Sequence, residues 1–156
     1  MKSVYNPLPS MPSEPKYSVV IPVYNSEPSL REVTEGIARF FEGGRLDYEI
    51  ILVNDGSRDA SWEVLKTLAR SNSRILAVDL LRNYGQHTAN LCGFHHATGD
   101  YLITMDDDLQ NPPGEIAKLI AKVREGYDLV IGRYRVKQHG LIRHLGSGRE
   151  AYPSYK

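Results

Sequence analysis

In YLITMDDDLQNPP, Tyr101–Pro113, a short apolar run breaks off at three consecutive carboxylates. Tyr101, Leu102, Ile103, Thr104 and Met105 are β-prone and bounded upstream by Gly99-Asp100, the pattern of a buried strand. Pro112-Pro113 then opens a segment in which Ile116, Leu119, Ile120 and Val123 keep helical spacing. Between them stand Asp106, Asp107 and Asp108. Side chains alternate in an extended chain, so Asp106 and Asp108 share one side while Asp107 points away. Three adjacent anions repel one another unless water or a cation neutralises them. Oxygen-rich, sulfur-free ligation suits Mg²⁺ or Mn²⁺, with the remaining coordination left to water and substrate phosphates. A bare DDD is more simply a solvated acidic turn; the strand before it and the LQNPP after it shift the reading to a metal site.

Working outward, the same unit recurs. Tyr17–Val23 (YSVVIPV) is a strand whose Pro22 implies a terminal, edge or irregular position. Tyr24-Asn25-Ser26 turns the chain. Ser26 is placed to cap a helix through roughly Gly43, with Leu30, Val33, Ile37 and Phe40 on its apolar face. Asp47–Asn54 (DYEIILVN) is the second strand, running into the turn Asp55-Gly56-Ser57 and a helix bearing Trp62, Leu65 and Leu68. Arg74–Leu80 is a third strand, a third helix covers about Gly85 to Ala97, and Tyr127–Ile131 (YDLVI) is a fifth strand. Five strands alternating with four helices spell an α/β fold, a doubly wound, largely parallel sheet. Ligands of such sheets sit beyond the carboxyl ends of the strands. Three of those ends carry polar turns: Tyr24-Asn25, Asn54–Ser57 and Asp106–Asp108.

The 156 residues suit one domain. Apolar and charged fractions of 41% and 24% are those of an ordinary folded protein. Lys plus Arg equals Asp plus Glu at 19 each, which argues against a nucleic-acid partner. Cys92 stands alone and excludes an internal disulfide. No 18 consecutive apolar residues encode a membrane span, and the N-terminus lacks an apolar signal core, so the expected place is the cytoplasm. No G-x-G-x-x-G or G-x-x-x-x-G-K-[ST] loop is present; a nucleotide diphosphate held through a divalent metal remains.

The order PVYNSE, ILVNDGSRD and LLRNYGQHTANLCGFHHATGDYLITMDDDLQNPP resembles family 2 glycosyltransferases of the GT-A fold. Within them it is most similar to the polyprenyl-phosphate transferases of the undecaprenyl-phosphate aminoarabinose and dolichyl-phosphate mannose type. The resemblance spans about Tyr17 to Ser147. It implies an enzyme that binds a UDP- or GDP-linked sugar, uses Mg²⁺ or Mn²⁺, and passes the sugar to a polyprenyl phosphate, working peripherally at the inner face of the membrane. It sets Val23, Tyr24 and Asn25 along the nucleotide base and Asp55 on the uridine. Asp106 and Asp108 become the outer members of a D-x-D motif, with Asp108 the direct metal ligand and Asp106 near the ribose or metal; Asp107 is left out of the site. Gln110 shapes the diphosphate corner or simply hydrogen-bonds the turn. Asn83 and Gly85-Gln86 open the third helix near the sugar nucleotide, where backbone N–H groups suit a phosphate. His87 is read as capping or packing and Cys92 as a small core residue.

On the acceptor side, Arg133 in IGRYR and Arg143 with Ser147 in RHLGS match the family's phosphate-binding pattern, and bidentate Arg–phosphate pairing explains the residue type. The implied catalytic set is therefore Asp106, Asp108 and Arg133. A phosphate acceptor, with a second pKa of ~6, needs positioning more than a general base. The organisation expected is a leader at residues 1–15, an incomplete transferase domain at 16–147 and a disordered tail at 148–156. Because the match fades after Ser147, the alternative is a shortened, non-catalytic fragment that binds nucleotide sugar. A nucleotidyltransferase is a weaker third reading, since no Gly/Arg-rich loop follows the first strand.

Overall fold

The computed structural model describes residues 14–108 and 112–132. Residues 1–13 of the expected leader, Gln110, Arg133, Arg143, Ser147 and the tail at 148–156 lie outside the described residues. Among the described residues, strands β1 (Lys16–Val23), β2 (Asp47–Asn54), β3 (Ile75–Asp79) and β4 (Tyr101–Thr104) form one sheet in the order β3-β2-β1-β4. Every pairing is parallel, so each connection must cross over through a helix. These are α1 (Leu30–Gly43), α2 (Ser61–Ser71) and α3 (Gln86–His96), and α4 (Ile116–Arg124) follows a single 3₁₀ turn at Pro113–Glu115.

The two central strands are covered on both faces. Tyr17, Val19, Ile21 and Val23 alternate towards the side of α1 and α2, together with Tyr48, Ile50 and Leu52. Val20, Ile51 and Val53 point the other way, against Ala89 of α3. Two-sided burial of this kind is why β1 and β2 read as almost continuous apolar runs. Helices on both faces make the sheet doubly wound, as expected.

Four local expectations need correction. Ser26 does not cap α1; Ser29 holds the N-cap position, and Ser26 lies in the preceding turn, where its carbonyl accepts from the Ser29 N–H at 3.1 Å. Pro28 is the reason, because a residue before proline avoids the α region and the helix can start only beyond it. Phe41 rather than Phe40 completes the α1 stripe, one turn on from Ile37, and stacks on Tyr48 at 5.0 Å between centroids. Pro22 sits in a central strand, yet near its end. Val23 directs its carbonyl to β2, so the Pro22 nitrogen faces β4, where the pairing has already ended at Val20↔Thr104. Finally, Tyr127–Ile131 is not a strand: no described strand pairs with it, and Leu129 and Ile131 are 76% and 79% exposed. A β-prone run becomes a strand only where a neighbour takes its backbone hydrogen bonds.

At the amino-terminal edge of the sheet, Glu49 ties three segments together. It accepts from Ser18 Oγ at 2.6 Å, the Thr98 N–H at 2.6 Å and Lys16 Nζ at 3.0 Å. Asp100 closes the same edge by accepting from the Lys16 N–H at 2.8 Å.

Candidate functional site

The opposite edge holds the three polar turns. Parallel strands all end on one side, so the turns after β1, β2 and β4 are brought together by the topology itself. The β1 and β2 turns are interlocked. Asp55 donates its N–H to the Val23 carbonyl at 2.8 Å, Asn25 donates its N–H to Ser57 Oγ at 3.0 Å, and Asn25 Oδ1 accepts from the Arg58 N–H at 2.7 Å. Asn25 adopts φ 54°, a left-handed conformation that Asn tolerates better than most residues. Val23 is buried in the core, whereas Tyr24 is 45% exposed and faces the solvent side of the edge.

Between the β2 turn and the chain leaving β3 lies a cleft of ≈410 Å³. Tyr24, Asn54, Ser57, Trp62, Asp79 and Asn83 contribute to its walls. Asn54 and Asp79 are register partners at the ends of adjacent strands, and Asn54 Nδ2 donates to Asp79 Oδ1 at 2.6 Å. The cleft rim carries the Arg82 guanidinium 4.9 Å over the Tyr84 ring. Polar hydrogen-bonding groups beside aromatic faces suit a planar, polar ligand.

Asp55 does not line that cleft. It is 3% exposed, and its two oxygens accept from the Tyr84 N–H at 2.7 Å and the Gly85 N–H at 2.9 Å. The Gly85 N–H, expected to be open to a phosphate, is thus engaged by Asp55 and also by Asn83 Oδ1 at 3.1 Å. Gly56 allows the close approach: at φ 66°, a Cβ there would lie 2.4 Å from the Asn83 nitrogen. Only glycine fits, on both counts.

Beyond β4 the three carboxylates diverge. Asp106 is half-buried and accepts at Oδ1 from Gln86 Nε2 at 2.9 Å. Asp107 turns inward. Burial pushes its pKa up, opposed by hydrogen bonds from Ser26 and the Tyr24 backbone. Asp108 is exposed. The donors are all hard oxygens, and no group of three or more His, Cys, Asp or Glu side chains forms a closed cage among the described residues. Such a set fits Mg²⁺ or Mn²⁺, which take one or two carboxylates and leave the other positions to water and phosphate. His87, on the first turn of α3, is exposed, and Cys92 packs beside Val20, Ile51, Val53 and Ala89. Reading by sequence missed the Gln86 side chain and the Asn54–Asp79 pair. A polar residue closing each of two adjacent strands was the available signal for the pair; nothing local marked Gln86.

Residues 18–147 match the profile of Glycosyl transferase family 2. A Proteus mirabilis (strain HI4320) protein, undecaprenyl-phosphate 4-deoxy-4-formamido-L-arabinose transferase, is 47% identical over 133 residues, which cover 85% of this chain. The chain spans 41% of that protein's length. Among solved structures, S. aureus TarS 1–349 superposes with a TM-score of 0.58 at 23% identity, covering 70% of this chain and 32% of TarS 1–349. The mannosyltransferase PcManGT of Pyrobaculum calidifontis, solved with GDP-Man and Mn²⁺, gives 0.53 at 22% identity, covering 69% and 31%. TarS 1–349 has also been solved with UDP-GlcNAc. These neighbours are GT-A glycosyltransferases, and the parallel sheet with its helices is the shared fold. With five-sixths of its length under the profile, the chain belongs to glycosyl transferase family 2.

Proposed function

We propose that this chain supplies the donor side of a transferase that moves a sugar from a UDP- or GDP-linked donor to a polyprenyl phosphate at the inner face of the membrane. The observation that carries the reading is the convergence of three strand-end turns on one edge: an aromatic, polar cleft beside Tyr24, and the carboxylates Asp106 and Asp108 beyond β4. The relative in Proteus mirabilis, named as an undecaprenyl-phosphate transferase, supports the acceptor class. The neighbours solved with UDP-GlcNAc or with GDP-Man and Mn²⁺ support the donor class and the ion.

In this reading the base lies along Val23, Tyr24 and Asn25, with the cleft walls recognising its edge. Asp106 approaches the ribose or metal and Asp108 is the direct ligand. The bond between the sugar C1 and the diphosphate breaks as an oxygen of the acceptor phosphate bonds C1, so negative charge moves onto the departing diphosphate. A bound divalent ion supplies Lewis-acid stabilisation of that charge. Arg133, Arg143 and Ser147 hold the acceptor phosphate, bidentate pairing being the reason for arginine. An anionic acceptor needs no side-chain base, which agrees with the lack of an obvious one after Asp108. Among the described residues no helix is long and apolar enough to cross a membrane.

Calorimetry with UDP and GDP tests the reading. Binding is expected to require Mg²⁺ or Mn²⁺, and Asp108→Asn is expected to remove most of that dependence while the melting temperature holds. Equal affinity in EDTA and in Mn²⁺ rejects it.

A further inference from the structure

We propose that Ser26 and Gln86 are positioning residues that pin the carboxylate run beyond β4 from its two sides, Gln86 through Asp106 and Ser26 through Asp107. The proposal rests on the donor-site reading above and deepens it. Asp107, which takes no part in holding the donor, joins the ion corner to the turn that carries Tyr24 and Asn25. Successive side chains of an extended chain point to opposite faces of the sheet. Ile103 and Met105 pack into the core on the α1 side, so Asp106 turns towards α3 and Asp107 back towards the β1 turn. Each meets a partner there. Gln86, the first residue of α3, donates its Nε2 to Asp106 Oδ1 at 2.9 Å. Asp107 accepts from the Ser26 side chain and from the Tyr24 N–H.

Ser26 is a firm post. Its N–H donates to Oγ of the fully buried Ser61 in α2 at 3.0 Å, and its carbonyl accepts from the Ser29 N–H at 3.1 Å and the Ser29 hydroxyl at 3.0 Å. The Ser26 hydroxyl has one proton and two acceptors in reach, Asp107 and the Tyr24 carbonyl oxygen at 3.1 Å. A carboxylate accepts more strongly than a peptide carbonyl, so the proton goes to Asp107. Two consecutive residues of the run are thus tied to different parts of the fold, one to α3 and one to the β1 turn and, through it, to α2. An ion arriving at Asp106 and Asp108 meets a run already oriented and does not have to order it. Neither partner is a cation, so neither repels a divalent ion as Lys or Arg would. Outer partners that orient a ligand are worth roughly 10–100-fold in metal affinity.

The test uses the full chain, UDP and GDP as probes, Mn²⁺ or EDTA, and the variants Ser26→Ala, Gln86→Ala and Asp107→Ala with their doubles. Gln86 is exposed, and Ser26→Ala keeps the backbone hydrogen bonds of that residue, so both variants are expected to melt with the wild type. Each should lose roughly tenfold in the Mn²⁺-dependent part of nucleotide affinity. Affinity in EDTA should hold, because the β1 turn stays fixed by the Asn25 contacts to Ser57 and Arg58. Ser26→Thr, which keeps the hydroxyl, should behave as the wild type. In the Asp107→Ala background, Ser26→Ala should cost nothing further, because the two act through one contact. Losses equal in EDTA and Mn²⁺ overturn the proposal, as does a full Ser26→Ala loss in the absence of Asp107. A second measurement stands apart from nucleotide binding: the ¹⁵N order parameters of Asp106, Asp107 and Asp108 in the ion-free chain. They should be about 0.85 in the wild type and fall towards ~0.6 in the Ser26→Ala, Gln86→Ala double. If the run stays as rigid in the double, the pinning fails even where nucleotide binds. If the wild type binds neither nucleotide, the donor-site reading falls and the order parameters alone judge the pinning.

Discussion

At the amino-terminal edge of the sheet, Glu49 receives hydrogen bonds from Ser18, Thr98 and Lys16, and Asp100 receives the Lys16 N–H. At the carboxyl-terminal edge, Asp106 accepts from Gln86, and Asp108 and Tyr24 are exposed. Both edges are rich in carboxylates and hydroxyls. At the first edge they close on one another and tie β1, β2 and the loop before β4 together. At the second, hydrogen bonds interlock the β1 and β2 turns, while Tyr24 and Asp108 stay exposed. A polar residue at a strand end is thus closed off or left exposed according to what the fold packs beside it. Asp55 combines both features inside a single edge: it stands among the candidate ligand residues, and each of its oxygens also accepts one backbone N–H.

The largest expected effect sets the two edges against each other. Glu49→Ala leaves Ser18 Oγ, the Thr98 N–H and Lys16 without their acceptor and should cost about 3 kcal/mol of folding stability. Asp106→Ala should stay within about 0.5 kcal/mol, with the loss appearing in metal-dependent nucleotide binding instead. Urea denaturation and calorimetry on the two variants decide it; equal stability losses would dissolve the distinction.

Acid titration sharpens the same point. Burial would push the Glu49 pKa up, but the hydrogen bonds from Ser18, Thr98 and Lys16 outweigh it and hold it at about 2, below the ordinary 4.5. A depressed folded-state pKa contributes stability above the unfolded value, and that contribution is lost as pH falls towards the folded value. Stability should therefore drop between pH 4.5 and about 2, and Glu49→Gln should flatten that limb while lowering the plateau at neutral pH. An unchanged acid limb in Glu49→Gln would mean that another group carries it.

A smaller effect is expected at Gly99, where a Cβ would lie 2.7 Å from Ser18 Oγ and 2.8 Å from the Lys16 carbonyl oxygen. Gly99→Ala should cost about 2 kcal/mol through overpacking. Nucleotide affinity should be untouched, because the strain falls at the far edge from the cleft. A loss of affinity in this variant would show that the two edges are coupled through β1.

The α/β alternation, the parallel sheet and the three polar turns were legible in the amino-acid sequence because they are local. Hydrophobic period switches between strand and helix within a few residues, and Gly43, Gly56 and the carboxylate run mark where it stops. Tertiary structure alone decided the rest. YDLVI has the composition of a strand, but a strand exists only with a neighbour, and no described strand pairs with it. Phe41 and Phe40 are equally apolar, and the packing of α1 on Tyr48 selected Phe41. Nothing near Asp55 in sequence reveals the partners of its oxygens, because the N–H groups that reach them lie 29 and 30 residues away. The partner of Asp106 is likewise 20 residues away, on the first turn of α3. Periodicity and turn chemistry are properties of neighbours along the chain, whereas the pairing of a donor with an acceptor depends on which strand ends the fold brings to one edge.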